Sequence, residues 1–186
     1  MKKIILALAM CLASFDANAF LIDPYVGLDY GYSSYNLSKK YKEFDKDDFG
    51  TYGAVVGVKL LSMVSAEAFY NQSEHKNNSV ISNNNVSNKL KLKSYGVDVV
   101  GDVLNLGLVE VLSSVGYGYY KADMNNKVSG IKYKTDEDGN GIRLGLGAQF
   151  NPTPSIGIRG MFRYTFTNVD EVKNMKEFTL GLRYYF

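Results

Sequence analysis

The chain's one histidine, His75, stands beside Ser73 and Glu74, and its one cysteine is Cys11. Hydrolysis or acyl transfer would need a histidine general base held against a serine or an acid. Here the three groups are near neighbours in a polar stretch, where adjacent side chains point in different directions. His75 therefore reads as a loop histidine, and no enzyme active site is expected. One histidine and one cysteine also exclude a zinc centre, a Cys–His dyad and a disulfide framework. Asp136-Glu137-Asp138-Gly139-Asn140-Gly141 opens like a calcium loop, but the twelfth position, where a bidentate glutamate belongs, is Gly147. It reads as an Asp/Gly turn, so neither metal nor cofactor is expected. With 21 basic and 19 acidic residues, the net charge of +2 gives no electrostatic grip on nucleic acid. What remains is a set of charges scattered through apolar stretches: Asp29, Lys59, Glu67, Asp98, Glu110, Arg143, Arg159, Arg163, Glu177 and Arg183. Their role depends on the elements that hold them.

The N-terminus sets the compartment. Lys2 and Lys3, the apolar run from Ile4 to Ala13, and Ala17-Asn18-Ala19 have the form of a secretory signal peptide with an A-x-A cleavage site. Residues 1–19 are expected to be removed, leaving 20–186 as one domain. A lipoprotein reading on Leu8-Ala9-Met10-Cys11 is weaker, because Met10 is too large for the last position before the cysteine. The apolar run is about half the ~20 residues a spanning helix needs, and no longer one follows.

Beyond residue 19 the pattern has period two, the signature of strands. Eight segments carry it, within 25–35, 50–60, 64–71, 95–99, 109–119, 142–150, 156–166 and 177–186. In the last, Phe178, Leu180, Leu182, Tyr184 and Phe186 alternate with Glu177, Thr179, Gly181, Arg183 and Tyr185. Leu90 and Leu92 fall on the polar parity of the fourth segment, which suggests a bulge near Ser94. The connections alternate: short at 61–62, 102–107 and 151–155, long and polar at 36–49, 72–89, 122–141 and 167–176.

This describes an all-β, eight-stranded antiparallel transmembrane β-barrel with short periplasmic turns and four long extracellular loops. A soluble barrel with an apolar interior fits less well, since eight strands enclose room for little more than their own side chains. The bulky residues would overfill that space, while glycine and arginine faced water. Turned the other way, the apolar rows face lipid. The ten charges then face the lumen with the glycines, and tyrosine and phenylalanine gather at the band edges. All four arginines fall on the lumen face, whereas most lysines fall in the long loops.

Thr179, Gly181, Tyr184 and Phe186 match the C-terminal sorting pattern of bacterial outer-membrane barrels: polar, glycine, aromatic, terminal aromatic. On that pattern, joined to the signal peptide, the chain resembles the small eight-stranded surface barrels of the opacity-protein, OmpX and OmpA-like group. The resemblance implies a place in the cell outer membrane, among its lipid and lipopolysaccharide. It also implies insertion by the barrel assembly machinery and a role in adhesion, immune evasion or envelope integrity.

From the residues themselves, the lumen charges are expected to pair into a polar plug. Arginine suits this, because its planar fork can hold a carboxylate bidentately or bridge two. Lys89, Lys91 and Lys93 form a basic stripe at the foot of the second loop, either an ordinary solvated edge or a contact for lipopolysaccharide phosphate. Four Asn-x-Ser sequons (at Asn36, Asn71, Asn77 and Asn85) read as polar loop composition. The functional expectation is loop presentation to a host surface ligand or the environment. A narrow porin and a purely structural, envelope-stabilising barrel are the alternatives.

Overall fold

Strict alternation puts every second side chain on one face of a sheet. In lipid, a sheet with one apolar and one polar face must close with the polar face inside, so that no edge is left unpaired. The computed structural model describes residues 22–37, 48–60, 63–81, 84–128, 131–169 and 172–186, with side chains over 22–34, 50–60, 63–74, 91–123, 137–168 and 174–186. Eight strands make up nearly all of it: β1 (Ile22–Leu37), β2 (Asp48–Leu60), β3 (Val64–Ile81), β4 (Asn84–Asn105), β5 (Val109–Val128), β6 (Ile131–Thr153), β7 (Ile156–Val169) and β8 (Val172–Tyr185). Each pairs antiparallel with its sequence neighbours, and β8 closes on β1.

The register fixes the barrel's shape. Ladder partners followed once around from Tyr25 run through Gly57, Glu67, Asp98, Gly116, Arg143, Thr165 and Met175, and return to β1 at Tyr35. The closure is thus staggered by ten residues, from Tyr25 to Tyr35. Eight strands about 4.8 Å apart with that stagger must tilt by about 40°, on a backbone cylinder of roughly 8 Å radius. Each residue then climbs about 2.5 Å along the axis. The outward row of β7 from Ile156 to Phe166 therefore covers about 25 Å, the height of the apolar band of a bilayer-spanning barrel.

The faces separate cleanly. Leu28, Val97, Leu146 and Leu182 point outward and are exposed, whereas Glu67, Arg143, Arg163 and Glu177 point inward and are buried. Ring pairs mark the band's edges: Tyr95–Tyr119 at 5.3 Å and Tyr164–Phe166 at 4.8 Å toward the long connections, and Tyr184–Phe186 at 5.2 Å toward the short ones.

Three details differ from the sequence-based expectation. Much of the chain read as long loops continues the ladders. β3 and β4 stay paired out to Ile81 and Asn84, β5 and β6 out to Val128 and Ile131, and β7 and β8 out to Val169 and Val172. Asp136 to Gly141 is accordingly not a turn but part of β6, paired with Asp123 to Gly118, and the Asp138 carboxylate accepts a hydrogen bond from the Tyr119 hydroxyl. No bulge occurs at Ser94, because the β3–β4 register is continuous from Val64 to Ile81. Leu92 points inward and is buried, at the level where Tyr120, Ala122 and Met175 also enter the lumen. The interior also admits apolar side chains toward the long-hairpin end, so a leucine there needs no register shift. The β4 bulge lies instead between Asp102 and Leu104. Residues 1–19 and Cys11 lie outside the described residues, as do the side chains of His75 and Lys89.

Candidate functional site

The lumen is filled in tiers, and the ten charges noted in the sequence occupy them in pairs. At the short-turn end Lys59 reaches inward from β2 and places its Nζ 2.9 Å from both Asp102 Oδ2 and Glu110 Oε1. Gln149 donates to Asn151 Oδ1 at 2.7 Å and to the Tyr185 hydroxyl at 2.9 Å, and extends this layer across the barrel.

One level up, Arg159 on β7 pairs with Glu67 on β3, directly across the interior. Arg159 Nε also donates to Gln149 Oε1 at 2.8 Å, and the Tyr25 hydroxyl donates to Glu67. Beside them Arg183 grips Asp29 with two parallel bonds, Nη1 to Oδ1 at 2.8 Å and Nη2 to Oδ2 at 3.1 Å. That fork spans the β8–β1 closure and needs a close approach. At Gly181 an added Cβ would lie 2.6 Å from the Leu28 carbonyl oxygen and 2.8 Å from Arg183 Nη1.

The upper tier holds two arginines and two acids in one network. Arg143 pairs with Asp98 through Nε at 3.1 Å and through Nη2, and its Nη1 lies 3.8 Å from Glu177. Arg163 Nη1 lies 3.4 Å from Glu177 and donates to Thr179 Oγ1 at 2.8 Å, while its Nε lies 3.9 Å from Asp98. The Phe69 ring supports the Arg143 guanidinium from 3.5 Å, a cation–π contact out of water's reach. Above, the Ser33, Thr51 and Ser73 hydroxyls link across β1, β2 and β3. Apolar side chains fill the gaps, Tyr25 with Val55 and Phe69, and Val100 with Leu112 and Met161.

Low dielectric makes such pairs demanding. A buried charge left without a partner is costly, so each guanidinium and carboxylate holds the other in place. The arrangement can brace the wall and occupy the bore.

A family model described as the outer membrane protein beta-barrel domain matches residues 4–186. The chain belongs to that family. It is an outer-membrane barrel, and its apolar band is embedded in lipid. No curated protein sequence matches it. Among solved structures it is similar to Neisserial surface protein A, NspA, at 18% identity over 88% of this chain and 97% of that one, with a TM-score of 0.68. It is also similar to Ail, the attachment invasion locus protein of Yersinia pestis, in complex with the heparin analogue sucrose octasulfate. That match has 18% identity over 89% of this chain and 97% of that one, TM-score 0.59. A third is OprG from Pseudomonas aeruginosa, with 11% identity over 89% and 96% and a TM-score of 0.56. At these identities the likeness concerns the fold, and these relatives are outer-membrane barrel proteins.

Within the family fold the four C-terminal residues divide between faces. Thr179 and Gly181 point into the lumen, Thr179 as the Arg163 acceptor and Gly181 as the gap for the Asp29–Arg183 fork. Tyr184 and Phe186 point outward, 51% and 63% exposed, with their rings edge to face. Sequence reasoning missed Asp102, Tyr25 and Gln149. The inward parity of β4 (Asp98, Val100, Asp102) carried the signal for Asp102, and that of β1 (Tyr25, Gly27, Asp29) the signal for Tyr25.

Proposed function

We propose that this protein is a plugged surface barrel that displays its long hairpins for adhesion or another contact with a host or the environment, rather than a solute channel. The observation that carries this reading is the lumen. The ten charges form pairs at successive heights in a bore of only eight strands, which leaves little continuous water. A barrel with no path through it works through what it presents at its ends. The hairpins β3–β4 and β5–β6 rise well above the aromatic edge, and variable function resides in such connections.

The proposal includes export on the signal peptide of residues 1–19 and release of a mature chain beginning at Phe20. The barrel assembly machinery recognises Thr179, Gly181, Tyr184 and Phe186, and lipid and lipopolysaccharide surround the outward face of the barrel. The proposal contains no catalytic step. Lys91 lies 3.5 Å from Glu74, and Lys93 and Lys121 both approach Asp123, so the described charges on the hairpin stems are mixed. A sulfated ligand like the one bound by the Ail structure is therefore not part of the proposal.

The test grafts each long hairpin onto an inert barrel and measures binding to host cells, alongside planar-bilayer conductance of the intact protein. Binding that travels with one hairpin, with no steady conductance, is expected. A steady open channel would favour a narrow porin. Envelope weakness on deletion with no binding by any graft would favour a structural barrel.

A further inference from the structure

The connections at the short-turn end differ in chemistry. The one between β6 and β7 is Pro154 and Ser155, reached through Pro152 and Thr153 at the end of β6. The β4–β5 hairpin tip carries Val103 and Leu104 at the end of β4 and Leu106 and Leu108 in the turn, exposed by 65%, 50%, 65% and 60%. Four large apolar side chains on one hairpin tip form a patch of the kind that marks a lipid or protein contact.

The ladder shows which way the patch faces. The bulge between Asp102 and Leu104 inserts Val103 as an extra residue, so Leu104 pairs with Val111 on the lipid side while Asn105 pairs with Glu110 on the lumen side. The Leu106 amide donates to the Val109 carbonyl at 2.8 Å, and Val109 pairs with Phe150, an outward ring near the band's lower edge. The leucines thus continue the lower end of the lipid-facing column, Val111 and Val109, past that ring.

The turn's polar groups supply a second, independent observation. Asn105 Oδ1 accepts the Gly107 amide at 2.9 Å, a curl made possible by the left-handed Gly107 at φ +84°. The Leu108 carbonyl accepts the Asn151 amide at 2.8 Å. A turn in water can leave such groups to solvent, but a turn in hydrocarbon cannot. Here the protein itself satisfies the Leu106 and Gly107 amides and the Leu108 carbonyl.

We infer that the β4–β5 turn is a lipid-penetrating anchor: Leu104, Leu106 and Leu108 sit among phospholipid acyl chains of the leaflet at the short-turn end. The occupant follows from continuity with the lipid-facing band, and the inference rests on the family's membrane setting, not on the surface-binding proposal. The anchor fixes the depth of the barrel on one side and leaves the β6–β7 turn at the water boundary.

Nitroxide labels at Leu106→Cys, Val111→Cys and Ser155→Cys, each in a Cys11→Ser background, test this. The protein is reconstituted in phosphatidylethanolamine/phosphatidylglycerol vesicles, and each label's collision rates with oxygen and with a nickel chelate are compared. The oxygen-to-nickel ratio at position 106 is expected to lie several-fold above that at 155 and close to that at 111. A ratio equal to that at 155 would overturn the anchor. So would a label at 106 shielded from both reagents in native outer membranes while 111 stays open to oxygen, since that means a protein covers the turn. Leu108→Cys repeats the measurement if Leu106→Cys does not fold.

Discussion

Arg159 and Glu67 offer the sharpest test of the filled lumen, because their ion pair spans the interior with side chains 3% and 0% exposed. Arg159→Met keeps much of the volume and removes every charge-assisted bond. Gln149 Oε1 loses its 2.8 Å donor, and the Glu67 carboxylate keeps only the Tyr25 hydroxyl. An orphaned buried charge of this kind costs about 3–5 kcal/mol. Even the lower figure shifts the unfolding equilibrium more than about a hundredfold. Glu67→Gln should cost a comparable amount by stranding the guanidinium. The double variant should cost clearly less than the sum, because neither partner is then left charged and alone. Urea unfolding from phospholipid vesicles measures all three, and the interaction energy is the shortfall from additivity. Single variants within about 0.5 kcal/mol of wild type, or a strictly additive double variant, would refute the reasoning.

Other outcomes follow from the same geometry. Tyr25→Phe removes only the hydroxyl that donates to Glu67 and should cost about 1–3 kcal/mol in the same unfolding assay. Gly181→Ala places a Cβ 2.6 Å from the Leu28 carbonyl oxygen and should destabilise the β8–β1 closure by about 1–3 kcal/mol. The outward Gly160→Ala, which meets nothing within 4 Å, should stay within about 0.5 kcal/mol. If Phe186 is read by the assembly machinery, Phe186→Ser should lower the amount in outer-membrane fractions while signal cleavage proceeds. Unchanged outer-membrane levels would count against that role.

The eight strands were legible because burial against lipid on one face and a packed lumen on the other imposes period two on every spanning segment. The pairing partners of Asp29, Glu67 and Asp98 were not. A barrel's interior contacts depend on the ten-residue stagger, and alternation carries no information about stagger. The hairpin stems were illegible for a different reason. Asn77, Asn78, Ser87 and Asn88 continue the β3–β4 ladder although their residue types carry no apolar–polar alternation. Their pairing is inherited from the register below. Leu92 departs from the polar parity of β4 because the upper lumen also admits apolar side chains, Tyr120, Ala122 and Met175 among them. Asp102 opens the short connection of 102–107 in the sequence reading, yet its own parity puts it inside beside Lys59.

The fork between Arg183 and Asp29 joins residues 154 positions apart. Every other pair of adjacent strands is a hairpin that can zip as soon as its second strand arrives. The β8–β1 ladder has no such local start, and contacts this distant in sequence form late. An intermediate with seven ladders made and the eighth open is an unrolled sheet with two long bare edges, able to bond another unrolled sheet as readily as itself. Whether a newly exported chain ends as a ring or in an aggregate is then decided by how quickly one edge finds the other. Asp29, Gly181 and Arg183, which brace the finished wall, offer the same contact to a second copy, so only the nearness of a chain's own two edges favours the ring.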